Sequence, residues 1–234
     1  MPQAKVKFAS FEDYLDWSND PDHYLEGRFE WVDGELVSVE GAKVMTISQP
    51  RLTLEQYLQY DDGTDTRYEL VNGELVAMPT ENDINGRIAL FLVVQLAQLI
   101  PYQLLRCNST AIAVSGSRAT TRIPDVIVLS EELATVLEQA EKSVITFDMP
   151  SPRLVIEVVS PGKSNEDRDY RYKRSEYAAR CIPEYWIVDP IRELVTVLVL
   201  VDGLYEAIEY RADQTIVSPS FPALQLTANQ VLGV

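Results

Sequence analysis

The sequence predicts an α/β fold with a mixed central β-sheet flanked by helices, and two observations indicate this class. Five of the six residues from Leu154 to Val159 are apolar and turn-forming residues follow, which is the pattern of a buried central strand. Upstream, Asn82 to Leu105 carries apolar residues at helical spacing and predicts a buried helix. Because other strand-like runs alternate with helical ones, the sheet is expected to be covered by helices.

The first 78 residues contain an internal repeat. Arg28 to Val39 is echoed by Arg67 to Met78, and a short amphipathic, helix-like stretch precedes each copy. The turns Asp33-Gly34 and Asn72-Gly73 favour tight two-residue hairpins, because both central residues can adopt positive φ. Each copy is therefore predicted to be a helix followed by a hairpin.

The second copy runs directly into the rest of the chain, whereas the first ends in a polar, proline-terminated stretch. We therefore predict an N-terminal helix-hairpin module at residues 1–48, repeating residues 52–78, and a main domain at residues 49–234. Gly41 to Pro50 has the composition of a connector.

After the helix, strand-like runs lie at residues 103–114, 121–130 and 151–162, with a short helix or loop between the last two. Residues 165–180 have helical charge patterning, with acids toward the N-terminus as the helix dipole favours. A strand at residues 182–190 and a hairpin turning at Asp202-Gly203 follow, and a last short strand is expected to end the chain.

The net charge of −16 argues against a broad nonspecific nucleic-acid surface, because such surfaces neutralise phosphates. A local exception lies between Ser151 and Arg180, where seven bases outnumber five acids. A basic patch for DNA and a solvated helix of mixed charge both fit this balance.

No apolar run approaches 18 residues and no signal sequence is evident, so we expect a soluble cytoplasmic protein. The spacing of Cys107 and Cys181 indicates neither zinc nor a disulfide framework and predicts two core thiols. His23, the single histidine, lies in the first repeat, so a Ser/His/Asp or Cys/His nucleophilic site is not expected.

Two carboxylates on neighbouring predicted strands indicate chemistry. Glu157 sits inside the central strand, where a carboxylate is costly unless a metal, a proton or a cation pairs with it. Asp125 opens the preceding β-branched run, so adjacent strands can bring the two together. With a backbone carbonyl and waters, these oxygens suit Mg²⁺, and Lys173 on the next helix could orient a water or steady a phosphate.

Three segments together resemble one family. They are RYELVNGELVAMPT, PDVIVLS and the block IEVVSPGKSNEDRDYRYKRSEYAARCIPEYWIVDP. They are similar to the Uma-type restriction endonuclease family, a branch of the PD-(D/E)XK nuclease superfamily, from about Leu52 to the C-terminus. The resemblance implies a restriction-endonuclease-like core, a homodimer and Mg²⁺-dependent cleavage of DNA, with Mn²⁺ as a possible substitute.

The resemblance also implies roles for individual residues. Asp125 matches the PD aspartate and Glu157 the (D/E) position, and the carbonyl of Val158 would complete the metal shell. Val159 occupies the usual lysine position, so the lysine role falls to Lys173. Further candidates are Lys163 in the turn, and Glu81 and Asn85 near the first core helix, with Asn85 standing where relatives often have histidine. Glu69 is a candidate edge member of the acidic cluster formed by Asp125 and Glu157.

Structural roles remain as alternatives. Glu157 could be a buried carboxylate paired with an arginine or lysine, and Lys173 a solvated helix residue. Tyr177, Tyr185 and Trp186 are expected to pack in the core, with stacking on bases near a nuclease cleft as the alternative. The alternative function is a catalytically inactive nuclease-fold scaffold or protein-interaction module.

Overall fold

The computed structural model describes residues 51–78, 82–115 and 120–234, and the strand backbones within residues 1–50. The chain divides into two compact units, Met1–Arg51 and Leu52–Val234. In the first unit, β1 (Lys5–Lys7), β2 (His23–Val32) and β3 (Glu35–Thr46) form an antiparallel sheet in the order β1-β3-β2. The helix predicted in the first repeat and the turn Asp33-Gly34 lie outside the described residues.

The second unit contains the remaining strands and all the described helices. Its helices are α1 (Leu54–Gln59), α2 (Asp83–Leu96), α3 (Glu131–Glu138), α4 (Lys163–Asp167), α5 (Arg174–Ala179) and α6 (Ala228–Leu232), with a 3₁₀ turn at Tyr102–Leu104 and a π-helical segment at Arg168–Lys173. Its strands are β4 (Tyr68–Val71), β5 (Glu74–Ala77), β6 (Leu105–Cys107), β7 (Ala111–Ala113), β8 (Thr121–Arg122), β9 (Val126–Val128), β10 (Val144–Ile145), β11 (Leu154–Val158), β12 (Glu184–Asp189), β13 (Leu194–Val201) and β14 (Leu204–Tyr210).

Six of these strands form the central sheet, in the order β14-β13-β12-β11-β9-β6. β11 and β12 are parallel, and the other neighbours are antiparallel. The chain from β11 to β12 passes through α4, the π-helical segment and α5, as a parallel connection requires a crossover. The fold class predicted from the sequence, a mixed sheet flanked by helices, is confirmed.

The sheet is buried on both faces, which explains why β11 reads as a nearly continuous apolar run. Leu154, Ile156 and Val158 pack with α2 and α6 on one face. Val155 and Val159 pack on the other face with Tyr177 of α5. Successive strand residues alternate between faces, so Glu157 lies on the α5 side.

The second copy of the repeat forms the predicted helix and hairpin, α1 followed by β4 and β5. At its turn Asn72 has φ 53° and Gly73 has φ 84°, so both central residues have the positive φ predicted for them. A capping box at Thr53 and Gln56 begins α1.

Three local expectations were wrong. β3 continues through Thr46 because it pairs with the start of β2, so the first part of the expected connector is strand. The last element is α6, a helix begun by a Thr227 capping box, where we expected a strand. Cys107 and Cys181 are exposed thiols rather than core residues. Over the described ranges, every helix is too short or too polar to span a bilayer.

Candidate active site

The pairing of β9 with β11 brings Asp125 to Glu157. The antiparallel ladder ends with Val126 paired to Ile156, and Asp125 and Glu157 are the next residues of the two chain segments. The carboxylate of Asp125 also accepts a 2.6 Å hydrogen bond from the backbone N–H of Val158. The two predicted acids are therefore neighbours at the end of the ladder.

Glu157 is buried, and two side chains bind its carboxylate. Nζ of Lys173 lies 2.8 Å from Oε2, and the hydroxyl of Tyr177 donates a 2.6 Å hydrogen bond to Oε1. Burial raises the pKa of Glu157 above its ordinary value, and this effect outweighs the lowering by Lys173. Tyr177, which we expected to pack in the core, is a core residue and also donates a hydrogen bond to this site.

Lys173 also contacts a carboxylate that the sequence analysis did not single out. Its Nζ lies 2.9 Å from Oδ1 of Asp169, one turn earlier in the π-helical segment, and both side chains are buried. Burial favours the neutral amine, but Asp169 and Glu157 together raise the pKa of Lys173 above its ordinary value. The spacing of four residues between acid and base was the signal that could have identified Asp169.

Asn85 of α2 lies against the end of β11. Its Nδ2 donates hydrogen bonds of 3.3 Å to the Val158 carbonyl and 3.1 Å to Oγ of Ser160. Its Oδ1 is buried and has no hydrogen-bond partner among the described residues. An amide oxygen therefore lies unsatisfied beside the proposed metal-binding carbonyl.

The remaining candidates have different environments. Glu69 is buried in an ion pair with Arg122, at 3.0 Å, and also accepts a 2.9 Å hydrogen bond from the backbone N–H of Ile123. Lys163 is exposed at the start of α4 and does not line the cleft described next. Glu81 lies outside the described residues.

One cleft of about 460 Å³ brings most of these groups together. Its charged lining comprises four carboxylates and three cations: Asp65, Glu69, Asp125, Glu157, Arg67, Arg168 and Lys173. Asn85 and the Val158 backbone line the same space. Because the acids outnumber the bases, the cleft alone does not favour a phosphate anion.

The base-rich stretch from Ser151 to Arg180 does not form a simple cationic surface. Arg174 donates to the Tyr205 carbonyl, Arg180 to the carbonyls of Thr146 and Met149, and Arg153 to the Ser220 carbonyl. Lys173 is buried against two carboxylates. Many of the basic side chains counted in the sequence therefore form hydrogen bonds or ion pairs within the protein.

Comparison with known proteins identifies the family. The family model described as "Uma2: Putative restriction endonuclease" matches residues 54–229. The chain belongs to the Uma2 family. The resemblance inferred from the sequence motifs is thereby confirmed, and the match covers the whole of the cleft described above.

A solved structure supports the fold of this Uma2 chain. The chain is similar to the "crystal structure of a putative nuclease belonging to DUF820 from Anabaena variabilis ATCC 29413", with a TM-score of 0.56. The identity is 17%, over 78% of this chain and 98% of that chain, so the similarity concerns the fold. No curated protein matches the chain.

The Uma2 site presents few candidate metal ligands. Among the residues that the structure describes, no three His, Cys, Asp or Glu side chains come together as a metal-binding group. Asp125 and Glu157 are an adjacent pair, so any cation bound there would depend on neutral oxygens and water for the rest of its ligands.

Proposed function

We propose that this Uma2-family chain is a divalent-metal-dependent nuclease that hydrolyses phosphodiester bonds in DNA. The observation that carries the proposal is the adjacency of Asp125 and Glu157 in one cleft, with Lys173 bonded to Glu157. Two strand carboxylates and a lysine in a single cleft form a typical constellation for metal-assisted hydrolysis.

The residues present fit a hard cation such as Mg²⁺, with Mn²⁺ as a substitute. Carboxylate, amide and carbonyl oxygens are its preferred ligands, and the cleft offers Asp125, Glu157 and the Val158 carbonyl. The unsatisfied Oδ1 of Asn85 supplies a further oxygen at this point. The excess of acids over bases also favours a bound cation, because a phosphate would add more negative charge.

The bound metal would polarise the phosphate and lower the pKa of a water molecule. Asp125 and Glu157 would hold the ion, and the bond from Val158 N–H fixes the Asp125 carboxylate. Lys173 stays protonated near neutral pH because two carboxylates raise its pKa. It therefore orients Glu157 and can donate a hydrogen bond to the attacking water or the phosphate, but it does not accept the proton.

A cleavage assay tests the proposal. Supercoiled and linear DNA are incubated with the protein in Mg²⁺, in Mn²⁺ and in EDTA. We expect products only with metal, and a loss on the order of 10²- to 10³-fold in Asp125→Ala and Glu157→Gln. Glu138→Gln, an exposed acid at the end of α3, is the matched control and should cleave normally. Products in EDTA, or undiminished products from Glu157→Gln, overturn the proposal.

An inactive scaffold is the second candidate, because the Glu157 carboxylate is already bonded to Lys173 and Tyr177. Thermal unfolding separates the two. A site that binds metal gives a Mg²⁺-dependent increase in Tm that Asp125→Ala abolishes, since only the folded state binds the ion. No shift in the wild type supports the scaffold.

A homodimer belongs to the same proposal, because two copies would bring one site to each strand of a duplex. Sedimentation velocity of the full chain with a short duplex should then show two protomers. A monomer on DNA that still cuts both strands contradicts the dimer without affecting the hydrolysis.

A further inference from the structure

A second cavity, of about 360 Å³, opens beside the candidate active site. Its aromatic lining consists of Tyr57, Tyr60 and Tyr68, from α1, its C-terminal cap and β4. The volume lies near the lower end of about 300–1,000 Å³ for ligand pockets, so it suits one small planar group rather than a duplex. We call this cavity the tyrosine pocket.

The tyrosines are held in fixed orientations. The rings of Tyr60 and Tyr68 meet edge to face, with centroids 5.8 Å apart and planes at 89°. Tyr57 donates a 2.8 Å hydrogen bond to the Tyr68 carbonyl, and the Tyr68 hydroxyl donates a 2.8 Å bond to Oδ2 of Asp62. Rings fixed before binding lose little conformational entropy when a ligand stacks on them.

The charges around the tyrosine pocket nearly cancel. Asp61 and Asp62 line it together with Arg67 and Lys142. Nζ of Lys142 donates to the Tyr60 carbonyl, which places this cation at the cap of α1. An aromatic pocket with balanced charge and several polar groups favours a flat, uncharged ligand with hydrogen-bonding edges. A nucleobase has these properties.

The tyrosine pocket and the cleft share part of their lining, namely Thr66, Arg67 and Ile123. Arg67 is exposed, and its guanidinium has no hydrogen bond or ion pair within the part of the chain that the structure describes. A cation at the boundary of two binding spaces can contact the phosphate of a strand that passes from one to the other.

We propose that the tyrosine pocket binds one unpaired nucleobase of the DNA strand whose phosphate lies in the cleft. Arg67 binds the backbone between them. The inference rests on the proposed function and adds a requirement on the substrate. A base can enter such a pocket only when it is unstacked, so the preferred substrate has a single-stranded segment, a frayed end or a flipped base.

The test measures binding rather than cleavage. A labelled single-stranded oligonucleotide is titrated with the full chain in Ca²⁺, which supplies a hard divalent cation to the acidic cleft, and fluorescence anisotropy gives Kd. Loss of one base–aromatic stack in Tyr60→Ala should weaken binding roughly 10- to 100-fold. Tyr60→Phe keeps the ring and should restore it. Tyr102→Ala, an exposed tyrosine outside both cavities, should stay within about twofold of the wild type.

Two further measurements define the ligand. Arg67→Gln should make the salt dependence of binding shallower by about 0.7 in the slope of log K against log salt, as loss of one phosphate contact on a single strand predicts. An abasic site at one position of the oligonucleotide should reproduce the loss seen in Tyr60→Ala, and the two losses should not add.

Several results would overturn the inference. These are equal affinities of wild type and Tyr60→Ala, no effect of an abasic site at any position, and a free mononucleotide that binds as tightly as the strand. Failure of the hydrolysis proposal looks different. If the hydrolysis proposal is wrong, wild-type protein does not cleave DNA in the presence of metal. If only the tyrosine pocket proposal is wrong, Tyr60→Ala cleaves DNA with the same KM as the wild type.

Discussion

The ammonium of Lys173 lies 2.8 Å from the carboxylate of Glu157. This contact joins the π-helical segment of the crossover to β11, the central strand. Val159, two residues after Glu157, is apolar and buried in the core, so this end of β11 brings no cation to the glutamate. The cation approaches from the π-helical segment of the crossover. This contact offsets much of the cost of burying Glu157.

Lys173→Met should abolish metal-dependent cleavage and destabilise the fold. Removing one partner leaves Glu157 and Asp169 buried without their cation, which costs about 3–5 kcal/mol. Urea denaturation and the cleavage assay measure the two effects. Lys173→Arg keeps the charge and should fold, yet cleave poorly, because a guanidinium does not reproduce the ammonium geometry.

Lys163→Met is the matched control, since Lys163 is exposed at the start of α4. It should keep both stability and cleavage. If Lys163→Met loses cleavage while Lys173→Arg remains fully active, the lysine role belongs to Lys163 rather than to Lys173.

The pH dependence of stability should report the burial of Glu157. Its pKa is raised above the ordinary 4.5, so its protonated form stabilises the folded state below that pH. The contribution is lost as pH rises through the higher folded-state pKa. In EDTA, wild type should therefore lose stability relative to Glu157→Gln as pH rises from 4 toward neutrality.

Neighbouring substitutions should move that loss in opposite directions. Lys173 and Tyr177 lower the pKa of Glu157, whereas Asp169 raises it. The transition should therefore occur at higher pH in Tyr177→Phe and at lower pH in Asp169→Asn. A shift in the same direction in both variants would contradict the contacts described for Glu157.

The main strand and its acid were predictable because a buried strand has a strong pattern, and a carboxylate inside it is conspicuous. The pairing of β9 with β11 followed from two β-branched runs that each carry an acid. Lys173 could be assigned to a helix, but the resemblance to the family, rather than its spacing, identified it. The unsatisfied oxygen of Asn85 depends on packing against β11, which no local pattern encodes.

Other features were missed for different reasons. The Thr227 and Gln230 capping box was visible in the sequence and marks the start of α6, so the expected last strand overlooked an available signal. The π-helical segment was not predicted, because it lies inside a longer stretch whose charge pattern is that of a regular helix. It nonetheless carries Asp169 and Lys173.

Asn85→Ala should weaken divalent-metal binding more than it weakens the fold. It removes an oxygen beside the proposed ion and the donor to the Val158 carbonyl. One neutral hydrogen bond contributes about 1 kcal/mol to stability. A metal titration followed by Tm should show roughly 10- to 100-fold weaker Mg²⁺ binding. Unchanged affinity in the folded variant would remove Asn85 from the site.

Glu69→Gln should leave cleavage intact although Glu69 lines the cleft, because its carboxylate is committed to the fold. It binds Arg122, whose guanidinium also forms a two-point contact with Glu176, at 2.8 and 3.1 Å. Glu176 lies beside Tyr177 on α5, so Arg122 fastens the hairpin and the helix to β8. Loss of the charged hydrogen bond should cost about 1–3 kcal/mol in urea denaturation.

Arg122→Met should be far more damaging, at about 3–5 kcal/mol, since two buried carboxylates then lose their cation. Glu209→Gln, at an exposed acid on β14, is the control and should change neither stability nor cleavage. If Glu69→Gln folds as stably as wild type yet cleaves no DNA, Glu69 acts with Asp125 in the acidic cluster. The hairpin of the second repeat would then contribute to catalysis rather than to packing.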